Sequence, residues 1–79
     1  MSYMSHIKFN TEEIKKAIEI VGGVTKLAKE LEVSYHTVLT WKNGRSSASP
    51  LNCINIEKAT KGKVKRENIL PEYPWKSFK

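Results

Sequence analysis

VTKLAKELEVSYHTVLTWKNG, residues 24–44, is the stretch whose reading decides the fold. Val24, Leu27, Ala28 and Leu31 fall at i, i+3, i+4 and i+7, one face of a helix of about two turns. Residues 32–33 leave no room for a long loop. Ser34 is suited to cap a further helix, in which Val38 and Trp41 form one inward stripe. Asn43-Gly44 is a stop signal. Two helices joined by so short a turn cannot lie antiparallel. They must cross steeply, which is the geometry of a helix-turn-helix. Leu27, Ala28, Leu31, Val33, Val38 and Trp41 then pack inward, with Ala28 small where the helices approach.

Outward from this pair, Asn10-Thr-Glu-Glu places an N-cap before carboxylates that suit the positive end of a helix dipole. Ile14, Ala17, Ile18 and Val21 continue that helix along one face, and Gly22-Gly23 ends it. Downstream, GRSSAS at 44–49 reads as a polar loop. Ser49-Pro50 is an N-cap followed by a proline at the first helical position, where a missing N–H costs nothing. Leu51, Cys53, Ile54, Ile56 and Ala59 supply a fourth helix ending near Lys61-Gly62. Residues 65–70 make one more turn, anchored by Val64, Ile69 and Leu70. Pro71 and Pro74 preclude regular helix in the tail. Its Tyr73, Trp75 and Phe78 cover either the body or a partner surface. In residues 1–9 only Ile7 and Phe9 show any pattern, a short strand or loose packing. The expected fold is all-α, with four to five helices in a single domain over 1–79: an arm at 1–9, the helix-turn-helix at 24–43 and a tail at 71–79.

At 79 residues the chain has room for one core. The lone cysteine, Cys53, excludes an intrachain disulfide framework and favours a reducing, cytoplasmic setting; on an amphipathic helix it reads as a small core hydrophobe. No Cys/His cluster has zinc-ligand spacing, so no metal and no cofactor are expected. MSYMSHIKF lacks the basic end and apolar run of a signal peptide. No run approaches the roughly 18 apolar residues of a spanning helix, so no membrane partner is expected. His36 has the residue type of a general base, yet no Ser, Cys or Asp is placed to work with it. With His6 the only other histidine, no catalytic dyad is visible, which argues against an enzyme or a small-molecule substrate.

The net charge of +6 is unevenly spread. Residues 1–33 hold five basic and five acidic side chains, whereas 34–79 hold nine basic and three acidic, so the whole excess lies in the second part. Such a basic half draws a polyanion by attraction and counterion release; the plainer reading is a solubilising surface. The run Lys61, Lys63, Lys65, Arg66 is open to the same two readings. The outward residues of the third helix say more: Ser34, Tyr35, His36, Thr37, Leu39, Thr40 and Asn43. A merely solvated face favours Glu, Lys and Arg. This one offers short or flat donors and acceptors and no acid, chemistry suited to base edges in the major groove. Lys42 and Arg45 flank it where phosphates would run.

The run VTKLAKELEVSYHTVLTWKNG resembles the helix-turn-helix of Cro and cI-type phage repressors. More narrowly, GGVTKLAKELEVSYHTVLTWKNG followed by INIEKATKGKVKRENILPEYPW is similar to the Cro-like family known as YdaS, over roughly residues 14 to 75. The resemblance implies a λ-repressor/Cro-like fold, with the positioning helix at about 24–31 and the recognition helix at about 34–43. It implies that Tyr35, His36, Leu39, Thr40 and Asn43 face bases, with Lys26, Ser34, Thr37, Lys42 and Arg45 as phosphate partners. It further implies a transcriptional regulator, expected to repress as a homodimer on a double-stranded operator, in a prophage or antitoxin-like setting. The rival reading is a protein-interaction module, or an antitoxin-like partner, using the same helix pair. One residue departs from the family pattern. Glu32 occupies the turn position usually held by glycine, where left-handed backbone costs a side-chain-bearing residue about 1 kcal/mol.

Overall fold

Four helices of the chain end by the same device, and that repetition lays out the fold. A computed structural model describes residues 9–77. The helices are α1 (Thr11–Val21), α2 (Val24–Leu31), α3 (Tyr35–Lys42), α4 (Pro50–Ala59) and α5 (Arg66–Ile69), followed by a 3₁₀ turn at Trp75–Ser77. No strand occurs among the described residues. The all-α Cro/λ-repressor-like expectation holds, and the fifth helix is the single turn expected at 65–70. Ile7 and Phe78 lie outside the described residues.

Each long helix closes with an N–H that reaches back five residues. These bonds run from Gly23 to Ile18 (2.8 Å), Val33 to Ala28 (3.0 Å), Arg45 to Thr40 (2.9 Å) and Gly62 to Glu57 (2.8 Å). Such a closure needs a left-handed residue just before the donor. Gly22 (φ 101°) and Gly44 (φ 77°) meet that need with glycine, whereas Glu32 (φ 58°) and Lys61 (φ 56°) meet it against the preference of their Cβ. The turn between α2 and α3 is therefore the tight left-handed one despite its glutamate. Gly44, rather than Asn43, takes the left-handed position after α3.

The starts of the helices follow side-chain chemistry equally closely. Asn10, Ser34 and Ser49 accept from the backbone N–H of Glu12, Thr37 and Asn52, and Pro50 occupies the first turn of α4. The inward stripes meet in one core: Ile14 and Ala17 from α1, Leu27, Ala28 and Leu31 from α2, Val38 and Trp41 from α3, Cys53 and Ile56 from α4, then Val64, Ile69 and Leu70. Val33 and Phe9 pack partly buried against it. α2 lies at the centre, against α1, α3 and α4, while α5 closes the far end against α1 and α4.

Three details depart from the sequence reading. Leu51 is 62% exposed, because it stands two residues before Cys53 and so on the opposite side of α4. Ala48, within the loop read as polar, is buried in the core. Thr60 is buried although polar, which its hydroxyl tolerates by donating toward the Ile56 and Glu57 carbonyls (3.0 and 3.1 Å) and accepting from Val64 N–H (3.1 Å).

The tail is held by a small polar clamp. Glu57 Oε1 accepts from the backbone N–H of Arg66 (3.1 Å) and from its Nε (2.9 Å), and the Arg66 guanidinium lies 5.8 Å from the Trp75 ring centre. Trp75 donates its indole N–H to the Leu70 carbonyl (2.9 Å) and packs on Tyr73 with ring centres 4.7 Å apart. Tyr73 and Trp75 thus cover the body of their own chain.

Candidate nucleic-acid interface

Burial sorts the side chains of α3 into two faces. Val38 and Trp41 are 0% and 3% exposed, which turns the opposite side of the helix outward. On that side Tyr35 is 54% exposed, His36 and Asn43 are exposed, and Leu39 and Thr40 are half-buried. The helix carries no acidic residue.

The hydroxyls along α3 are not equally free. Ser34 Oγ accepts from Thr37 N–H (3.1 Å) and shares a second hydrogen bond with Thr37 Oγ1 (2.8 Å), so the two hydroxyls sit together at the start of the helix. Thr40 Oγ1 donates to the Thr37 carbonyl (2.7 Å) and lies 2.8 Å from Ser46 Oγ. A hydroxyl has one proton. With Thr40's proton on the carbonyl, Ser46 must donate to Thr40. The Thr40 carbonyl in turn accepts from the N–H groups of Arg45 (2.9 Å) and Ser46 (3.3 Å). Thr40 therefore ties the loop after α3 to the helix by side chain and backbone together, and its methyl rather than its hydroxyl is the freer group. The sequence reading did not single out Ser46; its only signal was a serine within reach of the helix end.

The cations fall into groups around α3. Lys26 borders an open depression of about 520 Å³ with Gly22, Gly23, Val24, Thr25, Lys29 and Tyr35. Here α2 begins on Gly23, which has no side chain to cap the first-turn N–H groups and no acid to neutralise them. Uncapped N–H groups and the positive end of the helix dipole favour an anion, and Lys26, Lys29 and the Tyr35 ring surround that end. Lys29 and the α2 N-terminus were missed in the sequence; the Gly-Gly pair, read only as a helix stop, was the available signal. Lys42, at the end of α3, borders a hollow with Lys15, Ile18, Glu19, Gly22 and Gly23, so the two depressions adjoin at the Gly22–Gly23 turn. Arg45 is exposed on the loop that Thr40 and Ser46 hold. An acid-free outward face with cations near both helix ends is an arrangement suited to seating a helix on a duplex.

Cys53 is fully buried, and burial pushes its thiol up to about 12. No group of three His, Cys, Asp or Glu side chains gathers among the described residues. No described helix is long and apolar enough to cross a membrane.

Residues 14–78 match the family described as bacterial toxin YdaS. The chain is 33% identical over 69 residues to the protein named transcriptional regulator YdaS in Escherichia coli (strain K12), a match covering 87% of this chain and 70% of that protein. It is 31% identical over 61 residues to the regulatory protein cro of Pseudomonas phage D3, covering 77% of this chain and 84% of the phage protein. No solved structure matches it significantly.

Proposed function

The chain belongs to the YdaS family, and from that premise we propose that it is a sequence-specific regulator of transcription that binds double-stranded DNA through α3. The observation that carries this reading is the outward face of α3. It is free of acid, lined by Tyr35, His36, Leu39 and Asn43, and bounded by Lys26 and Lys29 toward one end and Lys42 and Arg45 toward the other. In this reading α3 enters the major groove, with residues 24–43 as the binding unit of a single domain. Tyr35, His36, Leu39 and Asn43 meet base edges, and Thr40 contributes its methyl. Ser34, Thr37, Lys26, Lys42, Arg45 and the first turn of α2 sit on phosphates.

The mechanism is occupancy. A cytoplasmic protein seated on an operator excludes polymerase or a competing regulator, which makes the effect repression. A module of this size gains affinity from a second copy, so the operator is two-fold, with half-sites about 34 Å apart. The relatives' names support regulation and Cro-like binding. The family's description also names a toxin, a property of those proteins.

The experiment is selection from random duplexes followed by titration of the selected site at several salt concentrations. A recovered motif, with affinity falling steeply with salt, is the expected result. A flat salt response, or equal affinity for every sequence, overturns the proposal.

A further inference from the structure

An open groove lies off α3, between the end of α1, the outer side of α2 and the end of α4. It encloses about 630 Å³. Its apolar floor is built from Ile20, Val21 and Ala59, of which Ile20 is 39% exposed. Four lysines stand around it, Lys26 and Lys29 from α2 with Lys61 and Lys63 from the segment after α4, against the single carboxylate of Glu30. None of these lysines makes an ion pair among the described residues, where the pairs are Lys15–Glu12, Lys16–Glu13 and Arg66–Glu57. Lys61 holds its place on the lip in left-handed backbone, where glycine would be easier.

We propose that this groove docks an acidic, amphipathic segment of a partner protein, with apolar side chains on the Ile20–Val21–Ala59 floor and carboxylates on the four lysines. The two halves of the site ask for one ligand chemistry. An apolar floor alone suits any hydrophobic segment, and a lysine cluster alone suits any polyanion. Apolar surface enclosed by cations suits a chain that carries both apolar groups and negative charge, because only that chain removes the floor from water while pairing the ammonium groups. A duplex backbone satisfies the lysines but leaves Ile20 facing phosphates. Docking here shares Lys26 and Lys29 with the proposed DNA-binding arrangement, whereas Ile20, Lys61 and Lys63 lie outside it, so variants at those three positions test the groove alone.

The test uses the full chain, isotopically labelled, and two synthetic peptides of equal length. One carries leucines at i, i+3, i+4 and i+7 with glutamates between; the other is all glutamate. Expected are saturable shifts of the Ile20, Ala59, Thr60, Lys61 and Lys63 amides with the first peptide and much weaker binding of the second. The double variant Lys61→Glu/Lys63→Glu is expected to lose affinity about tenfold, two attractive pairs having become repulsive. Ile20→Ser probes the floor without altering charge and is expected to weaken the leucine peptide while leaving the all-glutamate peptide unchanged. Circular dichroism and thermal unfolding of each variant keep a folding defect separate from a lost contact. Equal binding of the two peptides overturns the proposal, as do shifts scattered over all lysines. Shifts of Lys61 and Lys63 by a DNA duplex of the same order as by the peptide also overturn it, because the groove would then belong to the DNA footprint.

Discussion

Replacing Glu32 by glycine is expected to stabilise the protein, and the size of the gain follows from the turn. Glu32 sits at φ 58°, ψ 43°, where a Cβ costs roughly 1–2 kcal/mol. Glycine escapes that cost but loses more freedom on folding, about 0.5–1 kcal/mol. Its side chain is exposed and makes no ion pair among the described residues, and the turn's bonds to Lys29 and Ala28 use only backbone, so the exchange removes no other contact. One term adds to the gain. A carboxylate at the C-terminal end of α2 meets the negative end of the helix dipole, unfavourable by about 0.3–1 kcal/mol at low salt and screened at high salt. Glu32→Gly should therefore gain about 1 kcal/mol at low salt, a rise in Tm of roughly 4–8 °C for a domain of this size. Glu32→Gln isolates the dipole term: it should gain less, and its gain should vanish in high salt while part of the glycine gain persists. Urea and thermal unfolding at two salt concentrations measure all four quantities. A loss of stability in the glycine variant, or an equal gain in the glutamine variant, would refute the reasoning that backbone strain is stored in this turn.

Three further outcomes are expected. Thr40→Val keeps the methyl but replaces the hydroxyl that accepts from Ser46 and bonds the Thr37 carbonyl; it should loosen the 44–47 loop, seen as faster amide exchange there, and weaken the proposed DNA binding by about 1 kcal/mol, whereas Thr40→Ser should retain loop protection. If valine leaves the loop's exchange unchanged, Thr40 does not position it. Burial raises the Glu57 carboxyl, but the Arg66 backbone and side-chain hydrogen bonds and the charges of Arg66 and Lys65 outweigh it, so the net shift is downward. A carboxyl lowered in the folded state contributes stability above its unfolded value, near 4.3, and loses it as pH falls through the folded one. Glu57→Gln should then cost about 1 kcal/mol at neutral pH and show a shallower acid loss than the parent, as chemical unfolding between pH 7 and pH 3 would reveal. Cys53, buried with its thiol raised to about 12, should react with a thiol reagent only at the rate of unfolding; rapid labelling of the native protein would contradict its place in the core.

How far the sequence carried depended on how local the physics was. Asn10, Ser34, Ser49-Pro50 and Gly22-Gly23 act on groups within a few residues, so the helix boundaries were legible from them. The stripes of α1, α2 and α3 were equally legible, since one face per helix is a short-range periodicity. Leu51 misled because α4 carries apolar residues all round, and only packing decides which of them face the core. Thr60 and Ala48 are buried by neighbours that the chain brings together in three dimensions, with Thr60's hydroxyl completed by Val64 N–H four residues on. On α3, residue types marked an acid-free outward face but not the state of each hydroxyl. Thr40 reads as a free donor in sequence, whereas the fold spends its proton on the Thr37 carbonyl and brings Ser46 against its oxygen.

The four helix ends also bear on what the chain asks of its two strained residues. All four use the same backward bond, so the geometry of stopping a helix does not distinguish them. Glycine serves after α1 and α3, yet glutamate and lysine serve after α2 and α4, each costing stability that a glycine would recover. Backbone strain persists where surrounding structure over-determines it, and it tends to gather at functional positions. Lys61 fits that pattern as a cation on the lip of the basic groove, in a place no glycine could fill chemically. On the proposed reading Glu32 does not fit it in the same way, because an acid beside a helix that reads DNA repels phosphate. Its position at the joint of α2 and α3 suggests a different use: a negative charge there works against non-specific attraction to any duplex and leaves discrimination to α3. Glu32→Gly and Glu32→Gln should then both tighten binding to unrelated DNA more than to the selected site, which separates this role from the strain that only glycine relieves.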